Sequence, residues 1–254
     1  MVHDFHQVAL KQRIVHFLQA DVLACVVQVT GKQRLLTLEF QRKDDGTVIG
    51  GGSGGGGSGI QHIHGHFAEL RLITSQHGDV YTALNDVIKE YPNAKVFSDI
   101  GCYTLGALPP FRTISSCVDM GASITMAKGA ADSGLFPAIA VIGDSTFTHS
   151  GMTGLLDAIN SKASITVVIS DNLTTGMTGG QDSAGTGRIE SICLGLGVEP
   201  EHLRVMLPIP KNHEELCNII REEIEYKGVS VIIPRRECIQ VMNRKLKQKR
   251  ANKA

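Results

Sequence analysis

The chain has 254 residues, 42% hydrophobic and 20% charged, enough for one well-packed core with a smaller module beside it. Its 25 basic and 25 acidic residues cancel, which argues against the overall field of a nucleic-acid or anionic-membrane binder. No apolar run reaches membrane-spanning length, the first residues do not open a signal peptide, and the six scattered cysteines contain no CxxC pair, so a cytoplasmic protein with reduced thiols is expected.

Residues 1–49 read as a small α+β module. Val8, Leu10, Ile14, Phe17 and Leu18 fall at helical spacing, and two strand-like runs, 22–30 and 34–41, flank a Gly31-Lys32 turn. Residues 50–59, ten glycines and serines, have the regularity of a laboratory linker and are read as an engineered flexible coil without secondary structure. Residues 60–76 are expected to connect, with strand-like alternation over 67–73. Within them His62, His64 and His66 alternate and would share one face of a strand, where imidazoles can hold a transition metal. A polar strand face or a linker flank is the preferred reading.

Over 77–240 the pattern becomes apolar strands separated by helices. Strands are expected at 96–100, 138–142, 165–169 and 229–233, and helices near 118–133, 151–160 and 212–226. That alternation predicts an α/β fold, doubly wound, with a mostly parallel sheet covered by helices on both faces. Ligands of such sheets sit at the carboxyl ends of the strands. The last segment, 241–254, is basic and is expected to be a disordered tail; without interleaved aromatics it is not read as a nucleic-acid site.

The unusual residues cluster at the strand ends. Gly143-Asp144-Ser145 follows one strand and Asp171-Asn172 the next, so Asp144 and Asn172 should lie side by side. A carboxylate, an amide oxygen and a backbone carbonyl give half of the oxygen octahedron that Mg²⁺ prefers, with a diphosphate and water for the rest. Gly143 would let the backbone approach the phosphates, and a helix starting near Gly151 would offer them its N-terminus. Either residue pair alone is also what an ordinary turn uses.

Gly143-Asp144-Ser145 with Asp171-Asn172 resembles the GDG…NN signature of thiamine-diphosphate (TPP) enzymes, with Ser in place of the last Gly. Three longer strings narrow the resemblance: Asp99-Ile100-Gly101-Cys102-Tyr103-Thr104-Leu105-Gly106, Gly143-Asp144-Ser145-Thr146-Phe147-Thr148-His149-Ser150-Gly151 and Met177-Thr178-Gly179-Gly180-Gln181. They are similar to the TPP-binding domain of indolepyruvate ferredoxin oxidoreductases, over residues 77–238. The resemblance implies TPP and Mg²⁺ as cofactors, with Asp144 and Asn172 as side-chain ligands of the metal and Thr174 as a carbonyl ligand. It also implies cofactor contacts from Gly101, Cys102, Tyr103, Met120, Gly121, Ser123, Gly143, Ser145 and Thr146, and from Met177, Thr178, Gly179 and Gly180. His77 matches the histidine of the family's CPGCPH string and, with Cys102, is the candidate catalytic residue. A lone histidine is more often a cap or a surface residue.

The sequence departs from the family in two ways. Ile73-Thr74-Ser75-Gln76-His77 replaces the string that carries a CxxC pair, leaving Cys102 and Cys238 too few to hold an iron–sulfur cluster. The 49 residues before the linker are too short for the pyrimidine-binding domain that supplies an activating glutamate. A pyrimidine-domain chain, a homo-oligomer or both are therefore the expected partners. Leu105, Leu108, Phe111 and Phe147 are expected to be exposed at that face. The implied function is a component of a 2-oxo acid oxidoreductase or decarboxylase acting on a small, aryl-pyruvate-like substrate. A non-oxidative decarboxylase subunit and a non-catalytic cofactor-binding module are the alternatives.

Overall fold

The computed structural model describes residues 22–29, 34–42, 48–52, 76–176 and 180–251. The chain divides into two units, Met1–Phe67 and Ala68–Ala254. In the first, β1 (Val22–Val29), β2 (Arg34–Arg42) and β3 (Val48–Gly52) form an antiparallel sheet in the order β1-β2-β3. The third strand differs from expectation. It includes Gly50, Gly51 and Gly52, which pair with Phe40, Glu39 and Leu38, so part of the glycine-serine run is strand rather than coil. Residues 67–73 and the three alternating histidines lie outside the described residues.

The second unit holds a six-stranded, all-parallel sheet in the order β5-β4-β6-β7-β9-β8. Its strands are β4 (Lys95–Ser98), β5 (Ser116–Cys117), β6 (Ala138–Gly143), β7 (Ile165–Ser170), β8 (Leu203–Met206) and β9 (Val229–Pro234). Three of the four inner strands, Ala-Ile-Ala-Val-Ile-Gly, Ile-Thr-Val-Val-Ile-Ser and Val-Ser-Val-Ile-Ile-Pro, are buried at every position. Branched side chains suit the pleat, and burial on both faces explains why these runs do not alternate in polarity.

Successive side chains of one strand enter different cores. Ile139 and Val141 join α1 (Gln76–Ile88) and α6 (His213–Glu225) on one face. Ala138, Ala140 and Ile142 join α2 (Ala122–Asp132), α4 (Met152–Asn160) and α5 (Ile189–Leu196) on the other. In α6, Leu216, Cys217, Ile219, Ile220 and Ile224 recur at helical spacing, and Glu214 and Glu215 in its first turn complement the dipole.

Two boundaries correct the expectations. The helix after β6 begins immediately at α3 (Asp144–Thr146), passes through a π-turn at Phe147–Gly151 and continues as α4, so no fresh N-terminus forms near Gly151. The basic C-terminal segment is helical as far as it is described: α7 covers Ile239–Ala251. Its lysines and arginines gather towards the helix's negative end, where they are favourable, and the Val241 side chain packs against Gly180.

Candidate cofactor site

At the carboxyl edge, the adjacent strands β4, β6, β7 and β9 lead, in spatial order, to Asp99, Asp144, Asp171 and Arg235. Parallel pairing fixes the middle of this row, because Gly143 registers with Ser170 and sets Asp144 beside Asp171.

Asp144 is 2% exposed. Its Oδ1 accepts the Ser145 N–H at 2.7 Å, whereas Oδ2 is buried without a hydrogen-bond partner. Burial pushes the carboxyl up to about 7; the Ser145 amide opposes this, and the charge of Asp171 adds to it. The Thr174 amide also faces this carboxylate and donates to Asn172 Oδ1 at 3.0 Å. Asp144, Asn172 and Thr174 therefore meet around one amide. Leu173 between them is left-handed at φ 59°, held by its N–H on Asp171 Oδ1 at 3.1 Å. An open carboxylate oxygen beside an amide and a turn is a hard-oxygen donor set that fits a divalent cation carrying a diphosphate.

Asp171 is not a second open carboxylate. Arg235 donates to its Oδ2 from Nε at 2.6 Å and to both oxygens of Glu190. The neighbouring Ser145 side chain shares a hydrogen bond with Thr175 at 3.0 Å, joining the two turns.

Asp99 organises the other half of the rim. Its buried carboxylate accepts from Tyr103 Oη, from the Gly121 N–H at 3.0 Å and from Ser123 Oγ at 2.8 Å. Burial pushes it up to about 6 even against those bonds. One carboxylate thus ties β4, the 3₁₀ turn Cys102–Ala107 and the start of α2 together. Gly121 has to be glycine: its φ is +90°, and a methyl there would lie 2.4 Å from Ser150 Oγ.

Several residues expected to contact the cofactor have roles within the fold. A methyl on Gly143 would lie 2.5 Å from Tyr103 Cε1, so this glycine makes room for an aromatic ring. Tyr103 itself is 3% exposed and forms the floor beneath the rim. The Ser123 hydroxyl is taken by Asp99, and Thr146 Oγ1 donates to the Ile100 carbonyl at 3.2 Å. Burial pushes the Cys102 thiol up to about 11, which leaves it protonated at neutral pH and a poor nucleophile. Gly101 lies at the mouth of the 3₁₀ turn, Ser145 is half-buried, and Met120 is exposed, its carbonyl accepting from Ser150 Oγ at 2.8 Å. Met177, Thr178 and Gly179 lie outside the described residues, whereas Gly180 is in the left-handed region. Phe147 is fully buried rather than exposed, and Leu105 and Phe111 pack on the core. The large apolar residues that reach solvent beside the rim are Val118 and Met120.

His77 lies in the first turn of α1, its ring centroid 6.2 Å from that of Tyr103. Burial, aided by the Arg236 charge, lowers it to about 4, so the imidazole is neutral at physiological pH. Sequence reasoning missed Gln76, Arg235 and Arg236, whose roles depend on contacts across the fold. Arg235 and Arg236 stand directly after β9, a position that could have drawn attention to them.

A parallel α/β domain whose carboxyl edge carries an open carboxylate and glycine-shaped turns is a domain for a phosphorylated cofactor. The chain belongs to the family described as the thiamine pyrophosphate enzyme C-terminal TPP binding domain, whose pattern matches residues 99–233. It is 37% identical over 179 residues to the indolepyruvate oxidoreductase subunit IorA of Archaeoglobus fulgidus, a stretch covering 66% of this chain and 28% of that protein. The subunit of the same name from Pyrococcus horikoshii is 36% identical over 171 residues, 58% of this chain and 26% of that one. The chain thus spans about a quarter of the length of these relatives. Among solved structures, a 2-oxoglutarate:ferredoxin oxidoreductase from Magnetococcus marinus shares the fold, with TM-score 0.53 and 16% identity over 65% of this chain and 62% of that one. Among the described residues no helix is long and apolar enough to cross a membrane.

Proposed function

We propose that these residues are the TPP- and Mg²⁺-binding component of a 2-oxo acid oxidoreductase and that activity needs a separate pyrimidine-binding domain. The observation that carries this reading is the buried, unpartnered Asp144 Oδ2 beside Asn172 and Thr174. In this reading Asp144 and Asn172 hold the metal through their side chains, Thr174 holds it through its carbonyl, and Gly180 lies in the loop that faces the diphosphate. Bound TPP supplies the electron sink for decarboxylating a 2-oxo acid.

The chain's own residues position and exclude. The Asp99 network fixes the 3₁₀ turn and the start of α2, and Arg235 keeps Asp171 from competing for the cation. The buried Tyr103 ring packs beneath the rim. Neither Asp99 nor Asp157 is placed to activate a pyrimidine. Asp99 is consumed by its hydrogen bonds, and Asp157 is exposed on α4 within 3.5 Å of Lys128. The exposed Val118 and Met120 beside the rim support a partner on this face.

The relatives named as oxidoreductase subunits support an oxidative outcome. The missing CxxC pair favours, as a second reading, a non-oxidative decarboxylase. Mixing the chain with TPP, Mg²⁺ and a 2-oxo acid should release no CO₂ above free cofactor until a pyrimidine-domain chain is added. Sustained release from the isolated chain would refute the need for that partner.

A further inference from the structure

We propose that the start of α1 is a subsite for the carboxylate of the 2-oxo acid, with the Gln76 side-chain amide as its specific donor; this rests on the function proposed above. Consecutive residues there carry buried polar atoms without partners, Gln76 Nε2 and His77 Nδ1, and the two residues are 4% and 5% exposed. A buried donor left unpaired costs roughly 1–3 kcal/mol, which an acceptor brought by a ligand would recover.

The carboxamide is held in one orientation. The Arg236 N–H donates to Gln76 Oε1 at 2.9 Å and to the Asp171 carbonyl at 3.1 Å. With its oxygen fixed on that shared donor, the amide presents its NH₂ to the unfilled side. The anchor also places it beside the residue preceding Asn172. His77 lies over Tyr103, the floor of the cofactor rim.

The surroundings select an anion. A helix of 13 residues begins here, with unpaired N–H groups and the positive end of its dipole in the first turn. The Arg236 guanidinium stands alongside, held by Asp79 at 2.6 Å. The Gln76 NH₂ and the free amide N–H groups of the first turn are neutral donors suited to the oxygens of a carboxylate, the group every 2-oxo acid carries. The larger, more highly charged diphosphate is already provided for at Asp144 and Asn172.

The test is a titration of the full ¹⁵N-labelled chain, saturated with TPP and Mg²⁺, with oxamate, an unreactive 2-oxo acid isostere. The side-chain NH₂ signals of Gln76 and Asn172 are followed. The Gln76 signal should shift saturably with oxamate and not with inorganic phosphate. Gln76→Glu keeps the acceptor for Arg236 and removes the donor. It should weaken oxamate binding roughly tenfold or more while TPP affinity changes less than about twofold, and Gln76→Leu should match it in oxamate affinity. A Gln76 signal unmoved by oxamate, or moved equally by phosphate, while TPP shifts Asn172, would overturn the subsite and leave the cofactor reading intact. An Asn172 signal indifferent to TPP and Mg²⁺ would overturn the reading beneath it.

Discussion

Arg235 Nε donates to Asp171 Oδ2 at 2.6 Å, on a carboxylate with no solvent exposure, one residue before Asn172. The same guanidinium holds both oxygens of Glu190 at 2.7 and 2.6 Å, so strand β9, the turn after β7 and helix α5 are clamped by one side chain. Removing one partner of a buried pair leaves an uncompensated charge. Arg235→Met should cost about 3 kcal/mol in urea unfolding, and adding Asp171→Asn should return part of that loss. A single variant within about 0.5 kcal/mol of wild type would show that the clamp carries little.

Asp99 and His77 give opposing pH dependences. Asp99 is raised from 3.8 to about 6. Its contribution to stability is full below its ordinary value and is lost as pH rises through about 6. His77 is lowered from 6.5 to about 4, so the unfolded chain takes up a proton that the folded chain refuses. Stability is then lost as pH falls from about 6.5 towards 4. Each effect is on the order of 3 kcal/mol and they largely cancel. His77→Gln removes the second, so its stability relative to wild type should rise by about 2–3 kcal/mol between about pH 7 and about pH 4.5. Parallel pH profiles would contradict a buried, neutral His77.

Gly143→Ala should destabilise the fold by about 1–3 kcal/mol, because the new methyl meets a ring locked between two backbone segments. TPP affinity should fall with it, since Tyr103 cannot yield without disturbing Asp99. Unchanged thermal unfolding would show that the ring moves freely.

The purified chain should contain no stoichiometric iron. Among the described residues no three His, Cys, Asp or Glu side chains converge on a point that could hold a metal, and the CxxC pair is missing. Iron measured at one cluster per chain would imply ligands from a partner.

Much of the sheet was legible in the sequence, as was the placing of Asp144 and Asn172 at neighbouring strand ends. The runs at β6, β7 and β9 are fully buried, and such runs read as near-continuous apolar strands. Asp144 and Asn172 stand out because strand ends place polar residues at one edge. The rest depended on distance along the chain. β5 is only two residues long and β8 is an edge strand with Val205 exposed, so neither has a strong pattern. α7 was hidden by its charge, since its few apolar positions gain meaning only from contacts such as Val241 on Gly180. That Gly143 serves Tyr103 could not be read locally, because the ring comes from 40 positions earlier in the chain.

Titration calorimetry of TPP with and without Mg²⁺ tests most directly whether Asp144 is the anionic ligand of a magnesium-bound diphosphate. Wild type should bind TPP tightly only when Mg²⁺ is present, and Asp144→Ala, which removes the open Oδ2, should abolish the magnesium-dependent part, while Lys162→Ala, exposed just beyond the C-terminal end of α4, should not. Equal, magnesium-dependent affinity in wild type and Asp144→Ala would remove Asp144 from the metal site.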